Sequence, residues 1–196
     1  FLSEFAISSP KAVSGIKYFA VYSLGGNTFH IFNSLTRVYS ATLDYPIYGM
    51  AMAEGGTFAL LSKSREYKSC VYVYDDDFNL KASCGTNDYI ADTALSPDGK
   101  ILYIVSFAAA GLYWNSELCA YSVTDGSLIF ECGDIADFPL KLFSFEGGGV
   151  CLAGEEMAYF IDSEGKTKGK YPYGGKLSAA AGSGNKVAFA LDLEHV

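Results

Sequence analysis

Short apolar runs, rich in Tyr, Phe, Val and Ile, alternate along the chain with polar turns of two kinds. The first kind carries glycine: Ser14-Gly15-Ile16-Lys17, Glu54-Gly55-Gly56, Pro97-Asp98-Gly99-Lys100, Glu146-Gly147-Gly148-Gly149 and Ser183-Gly184-Asn185-Lys186. Their leading glycines, at 15, 55, 99, 147 and 184, step by 40, 44, 48 and 37 residues. The second kind is polar: Asn33-Ser34-Leu35-Thr36, Asp75-Asp76-Asp77-Phe78, Thr124-Asp125-Gly126-Ser127 and Asp162-Ser163-Glu164-Gly165. The two kinds alternate strictly, and no helical period survives more than two turns. Two hairpin turns alternating at a period of roughly 40 to 45 residues are the mark of four-stranded propeller blades.

Each unit divides into four strands. In the third, Ile90–Leu95 precedes a Ser-Pro-Asp-Gly turn, in which Pro and Gly supply the two special backbone angles. Ile101–Phe107 follows, almost wholly apolar, as a strand covered on both faces should be. Next come strands near Glu117–Val123 and Ser127–Cys132. The expected architecture is an all-β propeller of the WD40 or YVTN kind, with blades near 1–44, 45–88, 89–135 and 136–176 and a partial blade at 177–196. A β-sandwich fits the strand spacing but not the alternation of turns. About four to five blades are visible, and further blades completing a larger ring are expected outside the segment.

Composition narrows the function. Hydrophobic residues make up 50% of the chain and charged residues 18%, with 15 Tyr and 14 Phe, so the chain is globular and strand-prone. The net charge of −8 has the wrong sign for a phosphate backbone or an anionic membrane surface, which argues against a nucleic-acid partner.

Five cysteines raise the question of compartment. Opposed residues of a hairpin share a constant sum of positions. A three-residue turn at Asp76–Phe78 would set Cys70 against Cys84, and a two-residue Asp125-Gly126 turn would set Cys119 against Cys132. Each pair would then lie within disulfide reach. The competing reading treats them as small apolar residues at equivalent repeat positions. Cys151 has no evident partner, and the chain has no CxxC.

No catalytic constellation is evident. The two histidines, His30 and His195, have no Ser/Asp companions at a recognisable spacing, and Asp75-Asp76-Asp77 lacks the Gly and distal Glu of a calcium loop. We expect no enzyme activity, cofactor or metal. A propeller enzyme of lactonase or quinoprotein type would need an axial site, for which Asp44, Asp92 and Asp137 are the nearest candidates. An intracellular structural scaffold is a third alternative. The more informative feature is one face, where the connections between second and third strands meet those between blades. It would collect Tyr45, Arg65, Tyr67, Tyr89, Tyr113 and Trp114, the residue types that anchor interfaces.

Three stretches carry a resemblance: Tyr22 to Phe29 (YSLGGNTF), Lys63 to Asp77 (KSREYKSCVYVYDDD) and Tyr89 to Lys100 (YIADTALSPDGK). They are similar to an uncharacterised propeller family, a domain of unknown function, from Gram-positive anaerobic bacteria. The resemblance implies an extracytoplasmic propeller held by a transmembrane helix outside this segment, with no catalytic residues to carry over. The expectation is a non-catalytic binding or scaffold module at the cell surface, with an unidentified protein or glycan partner. Membrane contact would come only through that anchor.

Overall fold

The computed structural model describes residues 7–110 and 113–192, leaving aside the side chains of residues 110, 113 and 134. Among these residues there are eighteen strands and no helix. The first sheet is β1 (Pro10–Ser14), β2 (Phe19–Ser23), β3 (Thr28–Phe32) and β4 (Arg37–Thr42). The second is β5 (Gly49–Met52), β6 (Phe58–Ser62), β7 (Ser69–Tyr74) and β8 (Leu80–Thr86). The third is β9 (Tyr89–Leu95), β10 (Ile101–Ala110), β11 (Tyr113–Ser122) and β12 (Leu128–Ile135). The fourth is β13 (Pro139–Ser144), β14 (Val150–Gly154), β15 (Met157–Ile161) and β16 (Thr167–Pro172), and β17 (Lys176–Ser183) pairs with β18 (Lys186–Asp192). Every sheet is an antiparallel meander in chain order, and the first strands of successive sheets touch one another. This is the expected propeller.

The sheets bury their flat sides against their neighbours. Phe29, Ile31, Met50, Phe58 and Leu60 fill the seam between the first two blades. Leu61, Val71, Val73, Leu102 and Ile104 fill the next, and Tyr103, Leu118, Phe130, Leu152 and Tyr159 the one after. Each large apolar side chain withdrawn fully from water stabilises the fold by ~1.5–3 kcal/mol. That explains why β6 and β14 read as almost wholly apolar runs: both are buried along their whole length. The Ser-Pro-Asp-Gly turn forms as expected. Gly99 adopts φ +74°, and Ser96 Oγ accepts the backbone N–H groups of Lys100 (3.1 Å) and Ile101 (2.9 Å).

Two expectations are corrected. The connection expected between the strands Ile101–Phe107 and Glu117–Val123 is mostly strand: β10 and β11 stay paired through Ala109↔Trp114 and Ala110↔Tyr113, so the hairpin projects beyond its neighbours. The register of both cysteine hairpins also differs from the one expected. In the second blade the turn does bring Asp75 to Asn79, but an irregularity between Val73 and Tyr74 shifts the ladder by one. Cys84 then opposes Val71, and Cys70 opposes Gly85. In the third blade the turn closes on Ser122 and Ser127, and after a similar irregularity Cys119 opposes Glu131 while Cys132 opposes Leu118. A one-residue slip sends side chains to opposite faces. Cys70, Cys84, Cys119 and Cys132 are therefore free thiols, as is Cys151.

Candidate binding face

The expected face begins at the connection from β4 to β5. Ile47 donates its N–H to Gly26 O (2.7 Å) and accepts that of Gly25 (2.8 Å), which ties this link to the β2–β3 turn. Tyr45 sits half-buried on the link with the Lys63 ammonium 5.3 Å from its ring centroid. A cleft of about 220 Å³ opens beside it, lined by Asp44, Tyr45, Lys63, Tyr72 and Tyr74. Burial pushes the Tyr72 hydroxyl up to about 12, so Tyr72 stays neutral at ordinary pH.

The β6–β7 loop is a serine-capped turn. Ser64 Oγ accepts the N–H groups of Glu66 (3.2 Å) and Tyr67 (3.0 Å). Arg65 is left exposed, while the Tyr67 ring folds back across Gly85, where any side chain would collide with it.

The third blade holds the densest group. Tyr89 stacks on Phe107 (centroids 5.8 Å apart), Phe107 meets Phe138 (4.8 Å), and Trp114 stands edge-on to both Phe107 (5.5 Å) and Phe138 (5.3 Å). The Lys68 ammonium lies 5.6 Å from the Tyr89 ring centroid. Yet Trp114 remains 50% and Tyr89 58% exposed. The four rings form an aromatic ledge with open ring surface, running from Tyr89 and Phe107 at the base of the projecting β10–β11 hairpin to Trp114 near its end. Tyr113 belongs to the same hairpin, but its side chain lies outside those described.

Sequence reasoning missed Phe107 and Phe138. Phe107 looked like the end of a buried strand, and only the extension of β10 shows that it carries the ledge. Phe138 is placed by its neighbour. The buried Asp137 accepts the backbone N–H groups of Phe138 (2.8 Å), Glu155 (3.2 Å), Glu156 (3.1 Å) and Met157 (3.1 Å). Asp137 O also receives the Ser116 hydroxyl (2.7 Å). No spacing in the sequence announced this clasp.

The three carboxylates considered for an axial site do not converge. Asp137 is occupied by backbone, and Asp44 is exposed beside the β4–β5 link. Asp92 accepts the Leu142 N–H (2.8 Å) and pairs with Lys141 (3.3 Å) across the seam of the third and fourth blades. Burial raises the Asp92 carboxyl above its ordinary range, and the Lys141 charge partly offsets this. Next to this pair the first strands line an open cavity of about 380 Å³ that includes Ser14, Thr93, Lys141, Ser144 and Ser183. Nor does the acidic turn gather a cation site: Asp75 Oδ1 accepts the N–H groups of Asp77 (3.1 Å) and Asn79 (2.8 Å), and Asp76 pairs with Lys17 (2.6 Å).

The profile of a family of unknown function (DUF5711) matches residues 3–129, well over half of the chain. The chain belongs to this family. The match takes in Tyr45, Arg65, Tyr67, Tyr89, Phe107 and Trp114 and stops short of Phe138, so the DUF5711 region holds most of the aromatic face. Among curated proteins none matches.

Among solved structures, the DUF5711 chain is similar to Kuenenia stuttgartiensis hydrazine synthase, with 11% identity and a TM-score of 0.67 over 90% of this chain and 68% of that one. It is similar to a chain of a mitotic checkpoint complex, with 11% identity and a TM-score of 0.68 over 96% and 60%. It also resembles a protein of unknown function from Bacteroides caccae, with 12% identity and a TM-score of 0.54 over 85% and 62%. At such identities the likeness shows the propeller-like fold alone. The chain spans 60% to 68% of the length of these structures.

Proposed function

We propose that this DUF5711 chain is a non-catalytic binding module whose contact surface is centred on the aromatic ledge of the third blade. The observation that carries the reading is Trp114: two rings and the pairing of β11 with β10 hold it, yet half of its surface stays open to solvent. A large aromatic side chain held in place before binding loses little freedom on contact, which is how interface anchors gain affinity. The partner we infer is a protein or glycan with neutral or basic character, since a net charge of −8 opposes polyanions. The reading includes an extracytoplasmic location with the anchor outside residues 1–196, supported by the resemblance to membrane-anchored propellers.

Trp114 is the one tryptophan of the chain, so its fluorescence reports on the ledge directly. Titration with neutral cell-wall oligosaccharides, and separately with surface proteins of the same cell, should give a saturable emission change with one of them. Calorimetry with that ligand should then show at least ~10-fold weaker binding for Trp114→Ala, a loss of ~1.4 kcal/mol, in a variant that still melts cooperatively. Equal binding by Trp114→Ala would remove this face from consideration.

A further inference from the structure

The corrected register of the third blade brings together residues that the sequence kept apart. Cys119 on β11 lies directly opposite Glu131 on β12, so both side chains leave the same face of the sheet. Glu117, two positions earlier on β11, shares that face. The Cys119 sulfur and one carboxylate oxygen each of Glu117 and Glu131 all lie within 4.8 Å of one another. The group sits at the rim of the apolar seam between the second and third blades, just outside Ile104, Leu102 and Val71. On the facing strand β8, Cys84 approaches the Tyr121 hydroxyl, which also contacts the Cys119 thiol, so a second sulfur borders the site.

The charges here are unbalanced. Two acidic side chains, Glu117 and Glu131, lie diagonally across neighbouring strands, and Asp88 adds a third acidic group nearby. Like charges placed across a strand pair destabilise a sheet. A cation would reverse the sign of that interaction.

We propose that Glu117, Cys119 and Glu131 form a binding site for a borderline-soft divalent cation of the zinc class. Calcium and magnesium need six or more oxygens, which this set lacks, and copper(I) favours sulfur throughout. One thiolate and two carboxylates, with solvent in the fourth position, suit tetrahedral zinc. Bonds of ~2.0–2.3 Å place ligand atoms ~3.3–3.8 Å apart, so small side-chain rotations close the site. On binding, the Cys119 thiol releases its proton to solvent and the sulfur bonds to the metal, with no change of oxidation state. The cation would pin the two outer strands of the third blade beside Cys84 of the second.

The test uses the full chain, reduced and free of chelator, titrated with Co²⁺ alone and followed by absorption. The expected result is one equivalent bound with a thiolate-to-metal charge-transfer band, and displacement of Co²⁺ by Zn²⁺. Cys119→Ser should lose the band. Glu131→Gln changes an exposed carboxylate and should fold normally, yet bind at least ~10-fold more weakly. Absence of the band in the native chain would overturn the proposal, as would a band unchanged in Cys119→Ser or an unchanged affinity in Glu131→Gln.

Discussion

The carboxylate of Asp137 occupies the space where a side chain on Gly154 would have to stand. The approach is close because Asp137 holds the β14–β15 turn by the N–H groups of Glu155, Glu156 and Met157, and it can do so only over a residue without a Cβ. The same carboxylate fixes Phe138, so the clasp supports both the fourth blade and the aromatic ledge.

Breaking the clasp has a large expected effect. Asp137→Ala strands backbone donors in a buried place, at ~1–3 kcal/mol for each left unpaired, so a total near 3–5 kcal/mol is expected. At ~2–4 °C per kcal/mol for a chain of this size, the melting temperature should fall by roughly 10 °C. Gly154→Ala should cost about 1–3 kcal/mol by overpacking. Calorimetric melts of the two variants check this, and a fall of under a degree in both would refute the role assigned to Asp137.

Two tyrosines should respond differently to loss of their hydroxyl. Tyr103 donates to Gly148 O (2.8 Å) across the seam of the third and fourth blades, so Tyr103→Phe should destabilise by about 1–1.5 kcal/mol. The buried Tyr173 hydroxyl finds no hydrogen-bond partner among the described residues. Tyr173→Phe removes only a desolvated polar group and should be neutral or stabilising by up to ~1 kcal/mol. Urea midpoints compared at equal slope settle both signs.

Acid should weaken the fold through its turns. Hydrogen bonds from Ser122 and Ser127 hold the Asp125 carboxyl down at about 2, and the Lys166 N–H and the Lys168 side chain hold Asp162 below the usual carboxylate range. Asp98 and Asp76 are lowered by Ser96 and Lys17 respectively. A lowered folded-state value contributes stability that is complete above the unfolded value near about 4 and is lost as pH falls through the folded one. Asp92 acts in the opposite sense. Its value is raised by burial, so its contribution is present in acid and lost as pH climbs through that raised value. Carboxyl NMR titration should find Asp125 near 2 and Asp92 above the usual range. An ordinary value for Asp125 would contradict the turn geometry.

All five cysteines should react as free thiols. Alkylation of the denatured, unreduced chain, read by mass spectrometry, should label Cys70, Cys84, Cys119, Cys132 and Cys151 alike. A Cys70–Cys84 or Cys119–Cys132 crosslink would show that the register found here is not the one in solution.

The sequence by itself determined the fold. Turn chemistry is local, and burial on both faces of a strand writes itself as an apolar run, so the alternation of turns placed the four strands of the third blade to within a few residues. It also brought Tyr89 and Trp114 onto one face, because blade topology fixes which connections share a side. Only the tertiary structure decided what meets within that frame. Irregularities in the third-blade and second-blade ladders, invisible in composition, moved Cys119 from Cys132 to Glu131 and turned Cys70 away from Cys84. The ledge needed Phe138, set by a carboxylate reaching across to another turn. Period and turn type are short-range properties of the chain, whereas register and side-chain convergence arise when separate segments pack, and a shift of one residue there exchanges the two faces of a sheet.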